Sequence, residues 1–435
     1  MNLNSDGANR LILDDFAEVI YAPAKAFKKI IENPKYLGAI IILLLFIGIQ
    51  IGYAYSQFSR TYVEETSPKI GYLSDYVNAT ATSSIGKEWA AGAGTNLSNN
   101  YADFYNYSVY IPALLGHYSL FGNNSLEIDS TNSNVSATLS GVFNVNCGAG
   151  GFENFSMALK MVEPQVAPLS ATLTLYSIND SNYYVYDFAS SLSSTTASGP
   201  WTNLTIPLGS ASQGWSSGGT PNWGNVTALK LDFTYSADSN VTILIGAILF
   251  HGQYQTLIQA TGTGVLISSL ELYSLQFIFT WFVLTGVIYV FFKGLKANIT
   301  WKPLFIALAL ALFVMVIRSI VNLVATFTLP AVYYPFDVSV GLSTNPFGAI
   351  YVPATAAATF IAQSKAVLNN IISMTSTFNF IVEAVFAVSY IWLGALCTII
   401  VGTLQPEFSL LKRILISVVT IGVTILLLLL LVSAV

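Results

Sequence analysis

Histidine and cysteine are scarce in this chain, which limits the catalysis and metal binding that it can support. The sequence contains two histidines, His117 and His251, and two cysteines, Cys147 and Cys397. The chain therefore has too few histidines to favour a histidine-based metal site or Ser/His/Asp catalysis. Cys147 lies in a polar stretch and Cys397 in an apolar run, so we expect no disulfide between them. Since no nucleophile–base pair, cofactor loop or metal cluster is evident, we expect neither enzymatic activity nor a cofactor.

Three ionisable residues lie inside apolar segments, where a charge is costly and is usually paired or functional. Arg318 lies well inside one segment, Glu383 inside another, and Glu271 near the outer end of a third. At a rise of about 1.5 Å per residue, all three fall in the outer half of a bilayer. We predict that Arg318 pairs with Glu383 or Glu271 and that the pair holds a helical bundle together. The alternative is a receptor or transporter that binds a small ligand in an outer cavity near Arg318.

The composition of the chain is that of a membrane protein. Hydrophobic residues make up 54% of it and charged residues 9%, and the mean hydropathy is +0.61, whereas about a quarter of a soluble domain is charged. The net charge of −5 indicates no nucleic-acid binding. A membrane-spanning helix needs about 20 mostly apolar residues. Five segments qualify, over residues 36–55, 265–292, 304–329, 371–401 and 410–435.

Lysine and arginine near these spans predict the orientation of the chain. They cluster before the first span, between the second and third, and between the fourth and fifth. The N-terminus is therefore predicted to be cytoplasmic. Residues 56–264, the outer loop 330–370 and the C-terminus are predicted to be extracellular. We expect the first span to act as an uncleaved signal anchor.

Asn-x-Ser/Thr sequons, the acceptors of N-linked glycans, are frequent on the predicted extracellular side. Asn, Ser and Thr are abundant there, so some sequons arise by chance, and we expect several to be used. One further match, Asn298, falls in a predicted cytoplasmic loop and should stay unmodified. The external sequons begin at Asn78, Asn96, Asn106, Asn123, Asn134, Asn154, Asn179, Asn203, Asn225 and Asn240.

The N-terminal segment, residues 1–35, has apolar residues at helical spacing beside several lysines. Pro23 should divide it into two short helices. We expect it to lie on the inner membrane surface as an amphipathic helix or to pack under the bundle, and the two are compatible. The stretches FAEVIYAPAKAFKKIIENPKYLGAIIILLL and FFKGLKANITWKPLFIALALALF resemble the Yip-domain family, with Pro23 and Phe27 as its Pro-x-x-x-Phe element. The resemblance implies five spans, and the large external insertion is similar to that of archaeal members.

Residues 124–255 show short alternating or β-branched stretches separated by Gly, Asn, Ser and Pro. This pattern predicts an antiparallel β-sandwich. Residues 56–123 are polar and tyrosine-rich without strong periodicity, and we predict a helical or irregular collar there. The fold class is therefore an α-helical bundle of about five transmembrane helices (36–55 and 265–435) plus an extracellular all-β jelly-roll sandwich.

The stretches WTNLTIPL and GWSSGGTPNWGNVTALKLDF resemble galactose-binding-like jelly rolls. The turn of Gly219, Pro221 and Trp223 has a physical purpose, because proline presets the turn and tryptophan anchors it. The resemblance implies sugar binding by aromatic faces, although Trp201 and Trp223 are favoured as residues that close the core. It also implies a structural Ca²⁺, for which Glu127 and Asp129 are weak candidates, with a solvated turn as the favoured alternative. The candidate sugar-binding residues are Trp215, Trp201, Trp223, Tyr183 and Tyr184.

These patterns favour a non-enzymatic integral membrane protein that presents a glycosylated β-sandwich at the cell surface. Its expected role is that of a structural or accessory subunit, or of a protein that contacts surface glycans or a surface layer. The expected partners are the lipid bilayer, N-linked glycans and other membrane or surface-layer proteins.

Overall fold

The computed structural model describes residues 18–69, 72–75, 89–105, 108–111, 118–121, 124–164, 166–192, 201–336 and 358–434. The chain divides into a helical unit and a β-rich unit. The helical unit comprises the segment that ends at Arg60, the segment Thr261–Ala331 and the segment that starts at Ile371. The β-rich unit comprises Thr61–Ala260 and Val332–Asn370.

Five helical segments are long and apolar enough to cross a membrane by their length and composition. Each of the five predicted spans overlaps one of these segments. The segments are Tyr36–Phe58, Gly264–Gly294, Trp301–Thr328, Lys365–Leu404 and Leu410–Leu430. The helices are α1 Pro23–Glu32, α2 Tyr36–Phe58, α3 Leu257–Thr261, α4 Gly264–Gly294, α5 Trp301–Ala311, α6 Phe313–Ala325, α7 Ala358–Leu404 and α8 Leu410–Ala434.

Burial within the helical unit is uneven and identifies its central element. The segment formed by α5 and α6 is the most enclosed, with 67% of its most apolar window buried, whereas the other four segments have 28 to 39% buried. Large apolar side chains on α7 and α8, such as Phe380, Ile391 and Leu411, remain more than 70% exposed.

The N-terminal segment follows the sequence-based prediction in the part that the structure describes. Residues 18–21 are helical, Ala22 is not, and α1 then begins at Pro23. Proline is tolerated at this first position because its missing N–H has no intrahelical partner there. Ala26, Phe27 and Ile30 are buried in the core of the helical unit. Of the two arrangements considered, packing against the bundle is therefore present.

The β-rich unit is a sandwich of two sheets with a shared core. The first sheet has the strand order β11-β8-β14-β1-β15, with β6 paired to β14 and β3 paired to β6. The second has the order β12-β10-β9-β13-β7-β2, and β4 and β5 form a separate pair. The strands are β1 Thr61–Ser67, β2 Ala90–Ala91, β3 Thr95–Asn100, β4 Ser108–Ile111, β5 Tyr118–Phe121, β6 Ser125–Ser130, β7 Asn134–Val145, β8 Asn154–Glu163, β9 Ser170–Ser177, β10 Asn179–Asp187, β11 Thr202–Pro207, β12 Trp215–Gly218, β13 Val226–Thr234, β14 Val241–Thr256 and β15 Val332–Tyr334.

Every second residue of the central strands points into the core of the sandwich. Leu173 and Leu175 of β9 and Leu229 and Leu231 of β13 are fully buried, together with Phe155 of β8 in the opposite sheet. Residues between them on each strand face outward. The second sheet therefore presents a regular outer face, whose rows are fixed by the antiparallel registers of β10, β9, β13 and β7.

The predicted collar at 56–123 is wrong in part. Its described residues include β1 and β3, which pair with β14 and β6 in the first sheet. The predicted outer loop 330–370 likewise contributes β15, which pairs in parallel with β1. The sequence of these strands shows no regular alternation. They become strands because they pair with segments that lie far away in the sequence.

Candidate functional site

Trp223 and Tyr184, two of the predicted sugar-binding residues, belong to the core of the sandwich. Their rings stack with centroids 3.8 Å apart and an interplanar angle of 12°. Trp223 is 8% exposed and Tyr184 9% exposed. The Tyr184 hydroxyl donates a hydrogen bond of 2.9 Å to the carbonyl of Pro221. The sequence-based preference for a core role of Trp223 is thus consistent with its position, and neither ring offers a face to a ligand.

Trp215 and Trp201 are only partly buried, but their polar groups are engaged within the unit. Trp215 stands edge-on to Trp223 at 5.1 Å, and its Nε1–H donates to the carbonyl of Pro207 at 2.8 Å. The Nε1–H of Trp201 donates to Oδ1 of Asp103 at 3.1 Å. Asp103 also forms an ion pair of 2.5 Å with Lys160. Trp201 therefore ties the segment before β4 to the first sheet.

Tyr183 is the predicted residue that lies on an open face. It is on β10 and points away from the core, since its neighbour Tyr184 points inward. Its register partner on β9 is Tyr176, and the two ring centroids lie 6.2 Å apart at 65°. On the other side, Tyr183 is paired with Gly218 of β12. A Cβ at Gly218 would lie 2.4 Å from Cζ of Tyr183, so the ring occupies the space that a side chain would fill.

Charged and hydroxyl groups lie in the neighbouring rows of the same face. Lys230 of β13 is paired in register with Thr174 and Thr138, and Asp232 with Thr172 and Ser136. The Lys230 ammonium lies 2.7 Å from Oδ1 of Asp232, and both side chains are 32% exposed. We call this surface the tyrosine face and define it by Tyr176, Tyr183, Lys230 and Asp232; Thr174 lies beneath it, at 7% exposure.

The tyrosine face combines two kinds of contact that a sugar requires. The rings of Tyr176 and Tyr183 offer apolar surface with a polar tip, and the ion pair and hydroxyls offer donors and acceptors. Burial raises the pKa of Tyr176, and the Lys230 ammonium opposes that shift. The phenol is therefore neutral at physiological pH and can both donate and accept. Tyr176 was missed in the sequence, although the alternation of ATLTLYS places it opposite the buried leucines.

The sequons differ in their accessibility. Asn154 and Asn225 are half-buried, and Oδ1 of Asn225 is buried without a hydrogen-bond partner. Asn78, Asn106 and Asn123 lie outside the described residues. Asn298, on the predicted cytoplasmic side, is also exposed. The exposed external sequons are Asn96, Asn134, Asn179, Asn203 and Asn240. Their occupancy by N-linked glycans stays a prediction.

The two calcium candidates lie two residues apart on β6 and are each engaged by a neutral donor. Asn100 donates to Oε2 of Glu127 at 2.5 Å, and Thr242 donates to Oδ1 of Asp129 at 2.8 Å. Asp129 also lines an open cleft of about 400 Å³ with Glu163. In the part of the chain that the structure describes, no three His, Cys, Asp or Glu side chains are grouped as metal ligands. A structural Ca²⁺ at Glu127 and Asp129 stays a prediction.

The predicted pairing of Arg318 with Glu383 or Glu271 is wrong. The Arg318 guanidinium donates a hydrogen bond to the Tyr390 side chain and lies 4.6 Å from the ring centroid of Phe386. Glu383 and Glu271 are both exposed. Counting residues from the ends of the spans places the three charged residues at a similar depth. The count does not show which face of its helix each side chain occupies.

A chain of hydrogen bonds around His251 was also missed. Its Nδ1 lies 2.9 Å from Oε1 of Glu64, and its Nε2 lies 2.8 Å from Oγ of Ser156. Ser156 is in turn 3.0 Å from Oγ1 of Thr205, and the other Glu64 oxygen accepts from the backbone N–H of Phe336 at 2.9 Å. The chain links β1, β14, β8 and β11. It has the order of groups of a Ser-His-acid triad, and the expectation that the chain is not an enzyme stays a prediction.

No family model matches the chain, and no curated protein matches it. Solved structures similar to part of it include carbohydrate-binding modules, an arabinofuranosidase and agarases. One is the family 11 carbohydrate-binding module from Clostridium thermocellum in complex with a beta-1,3-1,4-mixed-linked tetrasaccharide, at 12% identity and a TM-score of 0.25, covering 43% of this chain and 94% of that one. Another is a family 29 carbohydrate-binding module from Piromyces equi, at 10% identity and a TM-score of 0.19, covering 38% and 91%. At these identities and TM-scores the likeness is not evidence about a ligand.

Proposed function

We propose that this chain is an integral membrane protein whose β-sandwich contacts glycans at the cell surface through the tyrosine face. The observation that supports this most directly is the position of Tyr183. Its ring lies over Gly218 and beside Tyr176, whose strand β9 is adjacent to the strand of the half-buried Lys230–Asp232 pair. Two aromatic rings next to a mixed-charge, hydroxyl-bearing surface match the amphipathic character of a sugar ring.

The membrane part of the proposal rests on the helical unit. Five segments have the length and hydropathy of membrane spans. Apolar side chains on the outer surfaces of α7 and α8 would be solvated by lipid. We expect the protein to remain in the membrane pellet after washing at alkaline pH and to need detergent for extraction. Release by the alkaline wash would contradict membrane insertion.

Glycan binding can be tested with the full-length protein in a polyoxyethylene detergent, which contains no sugar. The probes are tetrasaccharides of glucose, galactose and mannose, screened on an array and then titrated by calorimetry. Removing either ring, by Tyr183→Ala or Tyr176→Ala, should weaken binding about fivefold to tenfold, since an aromatic contact contributes about 1 kcal/mol. Tyr101→Ala is the matched control, because Tyr101 is 64% exposed and lies outside the tyrosine face.

Two results would count against the proposal. One is that no tetrasaccharide binds. The other is that the Tyr183 and Tyr176 variants bind as the wild type does, which would direct attention to the cleft lined by Asn96 and Asp129. A role as an accessory subunit is compatible with glycan contact, and co-purification in the same detergent would identify a protein partner.

A further inference from the structure

A polar cavity lies within the helical unit, between helices that are otherwise apolar. Its volume is about 130 Å³, and α2, α4, α6 and α7 each contribute to its lining. Phe46, Phe277 and Leu312 form part of the wall. The polar side chains that point to it include Arg318, Tyr53, Gln50 and Asn322.

The cavity contains a cation without a carboxylate partner. Arg318 donates a hydrogen bond to Tyr390, lies 4.6 Å from the ring centroid of Phe386 and interacts electrostatically with Tyr53 and Tyr273. A carboxylate is not among these partners. Among the described residues, Arg318 makes no ion pair, and Glu271 and Glu383 are exposed elsewhere on their helices. Because a guanidinium in an apolar bundle is costly unless it is paired, a negative partner would stabilise this arrangement.

Tyr53, Gln50 and Asn322 also line the cavity, and each has hydrogen-bonding capacity that the described part of the protein leaves unused. Tyr53 accepts a bond of 2.9 Å from Gln57, which leaves its own O–H proton to be donated. Gln50 and Asn322 are 9% and 4% exposed, and each has an amide oxygen without a partner. Since the two ends of an amide are assigned from their surroundings, both can turn an NH₂ group toward the cavity. The cavity therefore offers positive charge and donors together, which is the chemistry of an oxyanion site.

We propose that this cavity binds a phosphate oxyanion, held by Arg318 and oriented by Tyr53, Gln50 and Asn322. The volume fits a head group, whereas pockets for drug-sized ligands are about 300 to 1,000 Å³. The phosphate can come from a lipid head group or from free phosphate, since both present the same oxygens. The inference rests on the membrane insertion proposed above but is independent of glycan binding, because the tyrosine face belongs to the other unit.

The test is the thermal unfolding midpoint of the full-length protein in the same polyoxyethylene detergent, which contains no phosphate. One arm compares sodium phosphate with sodium chloride at equal ionic strength. The other compares dioleoyl phosphatidic acid with dioleoyl glycerol in mixed micelles. Stabilisation in both arms would indicate that free phosphate is sufficient, and stabilisation by phosphatidic acid alone would identify a lipid head group. Stabilisation in neither arm would overturn the proposal.

Substitutions distinguish phosphate binding in the cavity from non-specific attraction of phosphate to the positive charges of the protein. Arg318→Met should weaken the apparent affinity for the phosphate probe at least about tenfold, since charge-assisted hydrogen bonds are the strong ones. Lys28→Met is the matched control, because it removes an exposed cation from the same unit. If Arg318→Met does not fold, Asn322→Leu keeps the charge and should weaken binding less strongly. Equal losses in the Lys28 and Arg318 variants would contradict the proposed site.

Discussion

The ring of Tyr183 lies against the backbone of Gly218, so that a Cβ at Gly218 would be 2.4 Å from Cζ of the tyrosine. The contact can exist only while residue 218 has no side chain. Gly218→Ala should therefore displace the Tyr183 ring without removing it. We expect tetrasaccharide binding to fall as far as in Tyr183→Ala, with little change in the thermal unfolding midpoint of the protein.

The neighbouring Ser217→Ala is the control for this variant. Ser217 is exposed on the same edge strand and pairs with the inward-facing Tyr184. Its truncation should leave both binding and stability unchanged. Normal tetrasaccharide binding by Gly218→Ala would show that the position of the Tyr183 ring does not matter for recognition.

Substitutions in the stacked pair of Tyr184 and Trp223 can show whether these residues stabilise the core or bind sugar. Trp223→Ala should destabilise the sandwich by about 3 to 5 kcal/mol, as truncation of a buried aromatic ring does. Tyr184→Phe keeps the stack and loses the hydrogen bond to Pro221, which should cost about 1 kcal/mol. Chemical unfolding followed by tryptophan fluorescence measures both. If Trp223→Ala is as stable as the wild type but no longer binds sugar, Trp223 would be a ligand contact and not a core residue.

The helical spans and most central strands could be predicted from local sequence, because each carries its own periodicity. Runs such as VTALKLDFTY alternate so regularly that Leu229 and Leu231 are assigned to the core without a structure. The edge and parallel strands could not be predicted in this way. Thr61–Ser67 has the mixed sequence TYVEETS, and it becomes a strand by pairing with β14 and β15.

The candidate sites were only partly predictable for the same physical reason. Tyr183 was found by its residue type, but its relation to Tyr176 depends on the register of β9 and β10. Arg318 was recognised as costly, but its contact with Tyr390 depends on how α6 and α7 face each other. The three groups of Glu64, Ser156 and His251 are far apart in the sequence and meet only in the sheet. Contacts between segments that are distant in the chain cannot be derived from a single sequence.

The His251 chain is expected to be structural, and this can be tested. Ser156 is paired with Thr205 on one neighbouring strand and Leu249 on the other, so it lies within a sheet, where backbone N–H groups bond to neighbouring strands and not to an oxyanion. A fluorophosphonate probe should therefore not label Ser156. His251→Ala should destabilise the sandwich by about 1 to 3 kcal/mol, because it removes a partner of the buried Glu64 carboxylate. Labelling of Ser156 that disappears in His251→Ala would contradict this and indicate a hydrolase.

Cys147 predicts a dependence of stability on alkaline pH. Burial raises the pKa of this thiol from 9.0 to about 12. In the unfolded chain the thiol ionises near its ordinary value, whereas in the folded chain it stays protonated, so unfolding is favoured progressively between pH 9 and 12. We expect Cys147→Ala to lose less stability over this range than the wild type does. Parallel loss of stability in the two proteins would show that other groups, such as Tyr235, account for the alkaline transition.

The sequons at Asn179 and Asn225 should differ in occupancy if the protein is made with glycosylation. Asn179 is exposed at the start of β10, whereas Asn225 is half-buried with its side-chain oxygen enclosed. Attachment requires the amide nitrogen to reach a transferase, and a glycan needs solvent around it. Peptide mass spectrometry should find modification at Asn179 and none at Asn225 or Asn298. Modification of Asn298 would overturn the predicted orientation, because that residue would then lie on the same side as the sandwich.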